Sequence, residues 1–435
     1  MTSAAGKDLG KMIIAAAPPA IRIEGYLGVG KTMWTCNTFA LLGAFFLIQG
    51  FAAGAPKHLQ LGFPQLSKRV QVVLLENYSP ERKWPAVFYY HATGGKPTTS
   101  FMQAHTRNRD WIVVGMTYTQ EGRLPATAEY LEKEFIILAS TRRHLAAKWD
   151  LDPRRCYVGG FSKGGWMAGF LLQYDPTLAG GIILGAGHQF LIRDPKRFRQ
   201  PKSLFVGVGR MDENYPFALR SVVHYRSLGA RVMMKEWNGL GHALPEGESR
   251  ALTQWMGLEA HPAVDYKKEV RGWLVKRLDQ IQGLPDLVDQ WTAIRDLERM
   301  PFFRMAAADD KARVAVLRSA LEGGVRVGAE AKALTAHQGL LRREAKGHSL
   351  SGCQRLTTEY LALSENHAGT RQAEIALGDH ERMKKLILHL RTQRKMEAEL
   401  KAKGEAGKDG VLGNDPFKGE REERRPIPDN PLLRR

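Results

Sequence analysis

The chain has 435 residues, which is long enough for one domain with a large hydrophobic core and an additional segment. Hydrophobic residues make up 43% and charged residues 25% of it, which excludes a largely disordered chain and a multi-span membrane protein. Lysine and arginine total 64 against 45 acidic residues, a net charge of +19. The excess of basic residues is spread along the chain and is greatest in the last third. We therefore interpret it as solvated helix faces and a charged tail rather than a nucleic-acid surface.

The first feature along the chain is an apolar run from Phe39 to Ile48, followed by the small residues Ala53-Gly54-Ala55. The run has the length of a secretory-signal core, and the small residues have the form of a cleavage site, although Pro56 fits that site poorly. Because the run lies far from Met1, either the true start is nearer Met33 or the run stays as a membrane anchor. We expect residues 1–57 to lie outside the fold of an exported or membrane-anchored protein.

The stretch from Gly25 to Thr32 (GYLGVGKT) matches the GxxxxGK[ST] pattern of a phosphate-binding loop. Such a loop opens a helix packed on a parallel sheet, and an acidic residue at the end of a later strand holds magnesium. Here the signal-like run follows instead, and no apolar strand ending in aspartate comes after it. We therefore expect no nucleotide site.

The three cysteines, Cys36, Cys156 and Cys353, are too few and too scattered for a disulfide framework. None belongs to a CxxC pair that would indicate a metal site. Cys156 falls in an apolar run, where we expect a buried thiol that packs as a small hydrophobic group.

Between about Lys68 and Trp255, short β-rich runs alternate with helical stretches. This alternation predicts the α/β class, with a mostly parallel sheet covered by helices on both faces. The predicted strands are Val70 to Leu75, Ala86 to Tyr90, Trp111 to Met116, Arg155 to Gly159, Gly181 to Leu184, Leu204 to Val208 and Val232 to Trp237.

Three helices are predicted between these strands. The first runs from Ala128 to Trp149 with an apolar stripe along one face, and Asp152-Pro153 ends it. The second runs from Lys163 towards Tyr174, and the third from Phe217 to Leu228 with Gly229 as its C-cap. Ligand sites in such sheets form beyond the carboxyl ends of the strands, so chemistry is expected there.

The first strand end of interest is the segment Gly160 to Gly165 (GFSKGG), between an apolar run and a helical stretch. It fits the nucleophile elbow GxSxG, in which a sharp turn lifts the serine hydroxyl clear and glycines let strand and helix approach closely. A bare GxSxG is common, but a strand before it, a helix after it and a third glycine make the signal strong. The sequence predicts Ser162 as a nucleophile.

Two later strand ends carry an acid and a base. Asp212 ends the segment VGVGRMD, and His242 ends the segment GLGH after the next predicted strand. A serine hydroxyl needs a base to take its proton, and a carboxylate fixes the tautomer of that base. Glu213 is the near rival of Asp212. His188 also follows a strand but precedes the acid, so we interpret it as a pocket-lining or structural histidine.

The segment His91 to Gly95 (HATGG) follows a predicted strand and can hold an oxyanion. We assign the oxyanion donors to the backbone N–H groups of Thr93 and Lys163. The side chain of Lys163 is unusual, because a cation in the first turn of a helix opposes the helix dipole. We expect a solvated side chain there, with steering of an anionic substrate as the alternative.

These motifs resemble the compact esterase branch of the α/β-hydrolase superfamily, which includes polyhydroxybutyrate-depolymerase-like and feruloyl-esterase-like enzymes. The resemblance covers roughly Val70 to Met256. It implies that small or polymeric carboxylic esters are hydrolysed through an acyl-serine intermediate, with no metal or organic cofactor. Two residues depart from the pattern, Ala92 for a usual glycine and Lys163 for a small or apolar residue. Both residues leave the backbone donors in place, but they put in doubt which ester the pocket prefers.

The last third of the chain predicts helices. From about Val264 to Leu400 it is rich in Ala, Leu, Glu, Lys and Arg without a sustained repeat, and from Lys401 onward Gly, Pro and charge dominate. The predicted organisation is a signal-like segment (1–57), a hydrolase domain (58–262), a helical accessory region (263–400) and a disordered tail (401–435). We expect a docking or packing role for the helices.

Three classes of protein stay open: an esterase, a serine peptidase of the same fold, and a non-catalytic binding protein on this scaffold. The complete triad disfavours the binding protein, but esterases and peptidases use the same residues. No long gating domain is evident ahead of the core, which favours the esterase.

The short stretch between Leu184 and Leu204 leaves little room for a lid, so we expect an open cleft suited to a bulky ester. The sequence gives no oligomeric state.

Overall fold

The structure, a computed structural model, describes residues 57–402 except positions 65, 67, 121–127, 189–197, 262 and 347–348. The signal-like run and the phosphate-loop match lie outside the described residues. The same is true of the predicted tail beyond Ala402 and of residues 189–197 in the stretch between Leu184 and Leu204.

An eight-stranded sheet forms the centre of the fold, as the sequence predicted for all strands but the first. The strands are β1 (Lys57–Leu61), β2 (Val70–Leu74), β3 (Trp84–Tyr90), β4 (Ile112–Met116), β5 (Leu151–Phe161), β6 (Gly180–Leu184), β7 (Ser203–Gly209) and β8 (Arg231–Trp237). Their order is β1-β2-β4-β3-β5-β6-β7-β8. β1 and β4 each pair with β2 in antiparallel fashion, and all the other pairs are parallel.

The inner strands form because their residues are apolar on both faces. Every residue of β3, β4, β6 and β7 is buried, as expected for parallel strands covered by helices on either side. β1 differs, because its sequence KHLQL is mostly exposed and lies at the edge of the sheet.

Five of the described helices belong to the part of the chain that forms the sheet. They are α1 (Ser100–Thr106), α2 (Ala128–Lys148), α3 (Lys163–Tyr174), α4 (Tyr215–Ser227) and α5 (Arg250–Glu259). The three predicted helices are confirmed as α2, α3 and α4, but the predicted stop signal is wrong. α2 ends before Asp152 and Pro153, which lie inside β5, and the chain turns at Asp150 with a φ of 38°.

The helical prediction for the last third is confirmed. Six α-helices and a short 3₁₀-helix (Pro301–Met305) follow: α6 (Ala263–Gln282), α7 (Leu287–Arg299), α8 (Ala308–Glu322), α9 (Val325–Glu344), α10 (Leu350–Asn366) and α11 (Arg371–Ala402). Side-chain caps begin three of these described helices, since Asp286 accepts from the Asp289 amide at 2.9 Å, Ser349 from the Gly352 amide at 3.0 Å and Thr370 from the Ala373 amide at 3.1 Å. Among the described helices, none combines the length and apolar character that a membrane span requires.

The helices after residue 263 share a hydrophobic core with the sheet. One face of the sheet contributes Val87, Ile182 and Phe205 to a cluster that continues through α5 to α9 and includes Trp291 and Leu297 of α7. A separate, smaller cluster joins α9, α10 and α11. The boundary predicted at residue 262 lies between α5 and α6, and the hydrophobic cluster continues across it.

This shared core makes the stability of the fold depend on the accessory helices. Leu297 is 1% exposed, whereas Leu388 on α11 is 66% exposed. Leu297→Ala should lower the free energy of unfolding by about 2–5 kcal/mol through lost burial and a cavity. Leu388→Ala, the matched control, should change it by less than about 0.5 kcal/mol. Urea unfolding followed by circular dichroism measures both, and equal small losses would contradict a core that continues into α7.

Candidate active site

Ser162 occupies a sharp turn between β5, which ends at Phe161, and α3, which begins at Lys163. Its backbone has φ 55° and ψ −118°, a strained conformation for a residue with a side chain. The glycines of the motif are needed for space. A Cβ at Gly160 would lie 2.3 Å from the carbonyl carbon of Gly164, and one at Gly164 would lie 2.0 Å from the Tyr90 oxygen. The turn therefore has the geometry of a nucleophile elbow.

The structure brings the three predicted triad side chains together. His242 Nε2 lies 2.8 Å from Ser162 Oγ. On the other side of the ring, His242 Nδ1 lies 2.9 Å from Oδ2 and 3.0 Å from Oδ1 of Asp212. The hydroxyl is thus within hydrogen-bond reach of a base that a carboxylate orients.

Asp212, and not Glu213, contacts the histidine. The Asp212 residue is 1% exposed, and its Oδ1 also accepts the backbone N–H of Asn214 at 2.8 Å. Glu213 is exposed and acts on His242 through its charge. The tight turn places one of the two adjacent acids inward, because Asp212 N–H bonds to the Gly209 oxygen at 3.1 Å.

The loops that carry the acid and the base are bonded to each other. Arg210 N–H donates to the Trp237 oxygen at 2.9 Å, and Met211 N–H donates to the Leu240 oxygen at 2.9 Å. A Cβ at Gly209 would lie 2.2 Å from that same Leu240 oxygen, so only glycine permits this approach. These backbone contacts hold the loop that carries Asp212 beside the loop that carries His242.

The pKa of His242 is raised above its ordinary value of 6.5. The hydrogen bond that Nδ1–H donates to Asp212 is the main cause; burial lowers the pKa, and the charges of Asp212 and Glu213 raise it further. The ring of Phe161 lies against the imidazole, with 5.0 Å between centroids and 28° between planes. The base is therefore held by a carboxylate on its edge and an aromatic ring on its face.

The oxyanion segment lies next to the start of α3. The close approach of Gly164 to the Tyr90 and His91 oxygens places the first turn of α3 against the end of β3. The segment turns back at once, since Gly95 N–H donates to the Ala92 oxygen at 3.1 Å. The backbone segments that carry Thr93 and Lys163 thus meet beside Ser162, and their role as donors stays a prediction.

The expectation that the side chain of Lys163 is solvated is wrong. Lys163 is 5% exposed, with Nζ 3.8 Å from the centroid of the Tyr118 ring and 3.3 Å from the Gln120 oxygen, to which it donates. Its charge also acts on buried Glu134. The side chain turns inward because the carboxyl end of β4 offers a carbonyl and an aromatic face there.

Two other sequence interpretations concern buried groups. His188 is 4% exposed and stacks on His224 with 3.9 Å between ring centroids, which fits a structural histidine. The pKa of His188 is well below its ordinary value, mainly because the ring is buried.

Cys156 is buried, as predicted, and burial raises the pKa of its thiol. Within the described part of the chain, no group of three or more His, Cys, Asp or Glu residues is arranged to hold a metal ion.

The contribution of α11 to the site was missed from the sequence. A cavity of about 240 Å³ lies beside the acid and the base, and residues of α11 form one of its walls. These α11 residues are Arg382, Lys385, Leu386 and His389. Helical periodicity predicts the existence of α11, but no local motif indicates where the helix docks.

Strand order and direction define the class of fold. A parallel sheet with a reversed second strand, a nucleophile elbow after the fifth strand, an acid after the seventh and a histidine after the eighth make up the α/β-hydrolase fold. The fold prediction is thus confirmed. No known protein-family profile and no curated protein sequence matches the chain.

Solved structures similar to this chain include esterases, serine hydrolases and an acylaminoacyl peptidase from Pyrococcus horikoshii. A carboxylesterase from Mesorhizobium loti is 16% identical with a TM-score of 0.37, and the match covers 46% of this chain and 98% of that one. SOBER1 of Arabidopsis thaliana is 14% identical with a TM-score of 0.34, covering 41% and 99%. The Staphylococcus aureus fluorophosphonate-binding serine hydrolase FphF is 12% identical with a TM-score of 0.34, covering 48% and 99%. The match to a thermostable esterase spans 54% of that chain's length. These likenesses concern the fold alone.

The burial of Asp212 and the exposure of Glu213 predict opposite outcomes for two isosteric substitutions. Asp212→Asn should lower kcat by about 10⁴-fold, because an amide favours the wrong tautomer of the histidine. Glu213→Gln, the adjacent control, should lower it by less than about threefold, since it removes only a screened charge. Steady-state hydrolysis of an activated ester measures both. The reverse pattern would make Glu213 the acid.

The raised pKa of His242 predicts the pH dependence. His242 accepts a proton only when neutral, so kcat/KM should fall as pH drops through a value above 6.5. Without the carboxylate the pKa of the imidazole should fall, and the acid limb of Asp212→Asn should move to lower pH. A pH series of kcat/KM tests this. An acid limb that stays in place in the variant would show that another group controls it.

Proposed function

We propose that the protein is a serine hydrolase that cleaves a carboxylic ester through an acyl-serine intermediate. The observation that carries the proposal is the contact of 2.8 Å between His242 Nε2 and Ser162 Oγ, with Asp212 on the far side of the ring. The strained backbone at Ser162 supports it, because such strain is stored where function needs it.

In the first half of the reaction, Ser162 Oγ attacks the ester carbonyl carbon while its proton passes to His242 Nε2. The carbonyl electrons move to oxygen and give a tetrahedral oxyanion. This intermediate collapses, the bond to the alkoxy group breaks, and His242 returns the proton to the leaving oxygen. An alcohol departs and the acyl group stays on Ser162.

In the second half, a water attacks the acyl carbon and gives its proton to His242 Nε2. The carboxylic acid is released and the proton returns to Ser162 Oγ. Asp212 stays ionised throughout, and its charge stabilises the imidazolium that forms in each half.

We assign the stabilisation of the oxyanion to the backbone N–H groups of Thr93 and Lys163. Two features support this assignment. The two segments lie against each other at the ends of β3 and β5, and Lys163 is the first residue of α3, where N–H groups are not used within the helix. Because the Lys163 ammonium is buried against Tyr118, its side chain can fix this backbone without entering the cleft.

A serine peptidase would use the same residues, so substrate tests must separate the two activities. A panel of acyl esters against matched aminoacyl amides, assayed with purified protein, makes the distinction. Esters should be hydrolysed and the amides should not. Faster turnover of the amides would make the protein a peptidase, and no turnover of either class would support the binding-protein alternative.

The nucleophile can be tested directly. Ser162→Ala should lower kcat by about 10⁶-fold, because the members of a triad act as a unit. A fluorophosphonate probe should label Ser162 in the wild type and nothing in this variant. Ser351→Ala removes an exposed serine of α10 and should retain both activity and labelling. Peptide mass spectrometry locates the adduct, and an adduct on another residue would refute the assignment.

A further inference from the structure

A group of buried charged side chains connects the loop that carries Asp212 to the accessory helices. Its centre is Arg210, two residues before Asp212 and 6% exposed. The guanidinium donates to Glu236 of β8 through Nη1 and to Asp379 of α11 through Nη2. The same Nη2 lies 3.3 Å from Nε2 of His337 on α9. One arginine thus bridges the sheet and two accessory helices.

The carboxylate on α11 is itself fixed from several sides. Asp379 Oδ2 lies 2.7 Å from His337 Nε2, and its Oδ1 accepts from Arg382 at 3.1 Å. The side chains of Asp379 and His337 are 1% and 2% exposed. A carboxylate held in this way cannot follow Arg210 if the loop moves, so it acts as an anchor for the guanidinium.

The other side of the loop is tied to the same group. Tyr215 N–H donates to the Asp212 oxygen at 3.0 Å, and the Tyr215 hydroxyl donates to Glu236 at 2.8 Å. The guanidinium of Arg210 lies 5.2 Å from the centroid of the Tyr215 ring. The residues before and after Asp212 therefore both contact one cluster of buried charge.

Stability alone does not account for such a cluster. Buried ion pairs add little net stability, because each charge must leave water, and apolar side chains of similar volume often do as well. A guanidinium that bridges two carboxylates differs from an apolar contact because it is directional, since each N–H requires an acceptor at a defined place. Orientation of the loop is what this arrangement supplies.

We infer that Arg210 is a positioning residue for the triad, and that α9 and α11 hold Asp212 in register with His242 through the contacts of Arg210 with Asp379 and His337. The inference rests on the proposed function of the triad. It gives the accessory helices a part in catalysis, in addition to the wall that α11 forms beside His242.

Asp379→Asn in the full chain tests this inference. Loss of the carboxylate releases Arg210, so kcat should fall by about 10- to 100-fold while KM changes little, as expected when a reacting group is displaced slightly. The hydrogen bond that His242 Nδ1–H donates to Asp212 should weaken as well. The charged and titratable groups that face His242 are Asp212 and Glu213 on the acid loop and Arg382, Lys385 and His389 of α11 across the cavity. Since the hydrogen bond to Asp212 is the main cause of the raised pKa of His242, the acid limb of kcat/KM should move to lower pH.

A matched control comes from the same helices. Glu330 of α9 is also buried, 4% exposed, and accepts the backbone N–H of Arg371 at 2.6 Å at the start of α11. Glu330→Gln should lower the unfolding midpoint, because it removes the charge and one acceptor oxygen of a buried cap, yet leave kcat and the acid limb as in the wild type. An equal shift of the acid limb in both variants would mean a general loosening of the helices and would overturn the inference.

A second variant approaches Arg210 from the sheet. Glu236→Gln removes the other carboxylate partner and leaves α9 and α11 intact, so it keeps the test decisive if Asp379→Asn does not fold. It should show the same loss of kcat and the same shift. Wild-type kcat and a wild-type acid limb in the folded variants would overturn the inference.

The rate at which a fluorophosphonate labels Ser162 gives a readout that needs no ester substrate. If the wild type labels but hydrolyses no ester, the proposed substrate class fails while the labelling rates of the variants still test Arg210. If labelling and hydrolysis proceed normally in every variant, the triad stands and the role of Arg210 is refuted. A wild type that does not label contradicts both proposals.

Discussion

Ser162 joins the central strand to α3 at φ 55° and ψ −118°, because the chain must turn from strand to helix within one residue. Conformations of this kind cost on the order of 1–3 kcal/mol and persist only where surrounding contacts hold them. Here the Ser162 N–H donates to the Leu184 oxygen at 2.9 Å, and Gly160 and Gly164 bring strand and helix into direct contact. Because the turn is fixed in this way, the Ser162 hydroxyl is held in one place, and the other groups of the site are arranged around it.

In this molecule, apolar packing stabilises the fold and polar contacts orient the loops of the site. The strands that carry the site are buried along their whole length, and one hydrophobic cluster extends from the sheet into the helices after residue 263. That burial stabilises the fold but does not select one orientation of a loop. The direction of the acid loop comes from hydrogen bonds, from Met211 N–H to the Leu240 oxygen and from Arg210 to the carboxylates on either side of it. Precision at the site thus depends on a few directional contacts.

The sequence predicts the sheet and the three triad side chains because their signals are local. Ser162, Asp212 and His242 each follow an apolar strand and stand among glycines, and their order along the chain is that of one fold. β1 gave little signal, since only Leu59 and Leu61 of KHLQL are apolar and the segment becomes a strand by pairing with β2 at the edge of the sheet. The inward turn of Lys163 depends on Tyr118 and Gln120, which are distant in sequence. The docking of α11 beside the triad depends on the path of all the helices before it, which periodicity does not determine.

An acyl group should be carried by Ser162 once in every turnover of an ester. Rapid mixing with an activated acetate ester, quenching within one turnover and peptide mass spectrometry test it most directly. The account predicts a burst of alcohol release close to one equivalent of enzyme and one acetyl group on the peptide that contains Ser162, which disappears as turnover ends. Turnover of the ester with no burst and no acetyl group on Ser162 would contradict it.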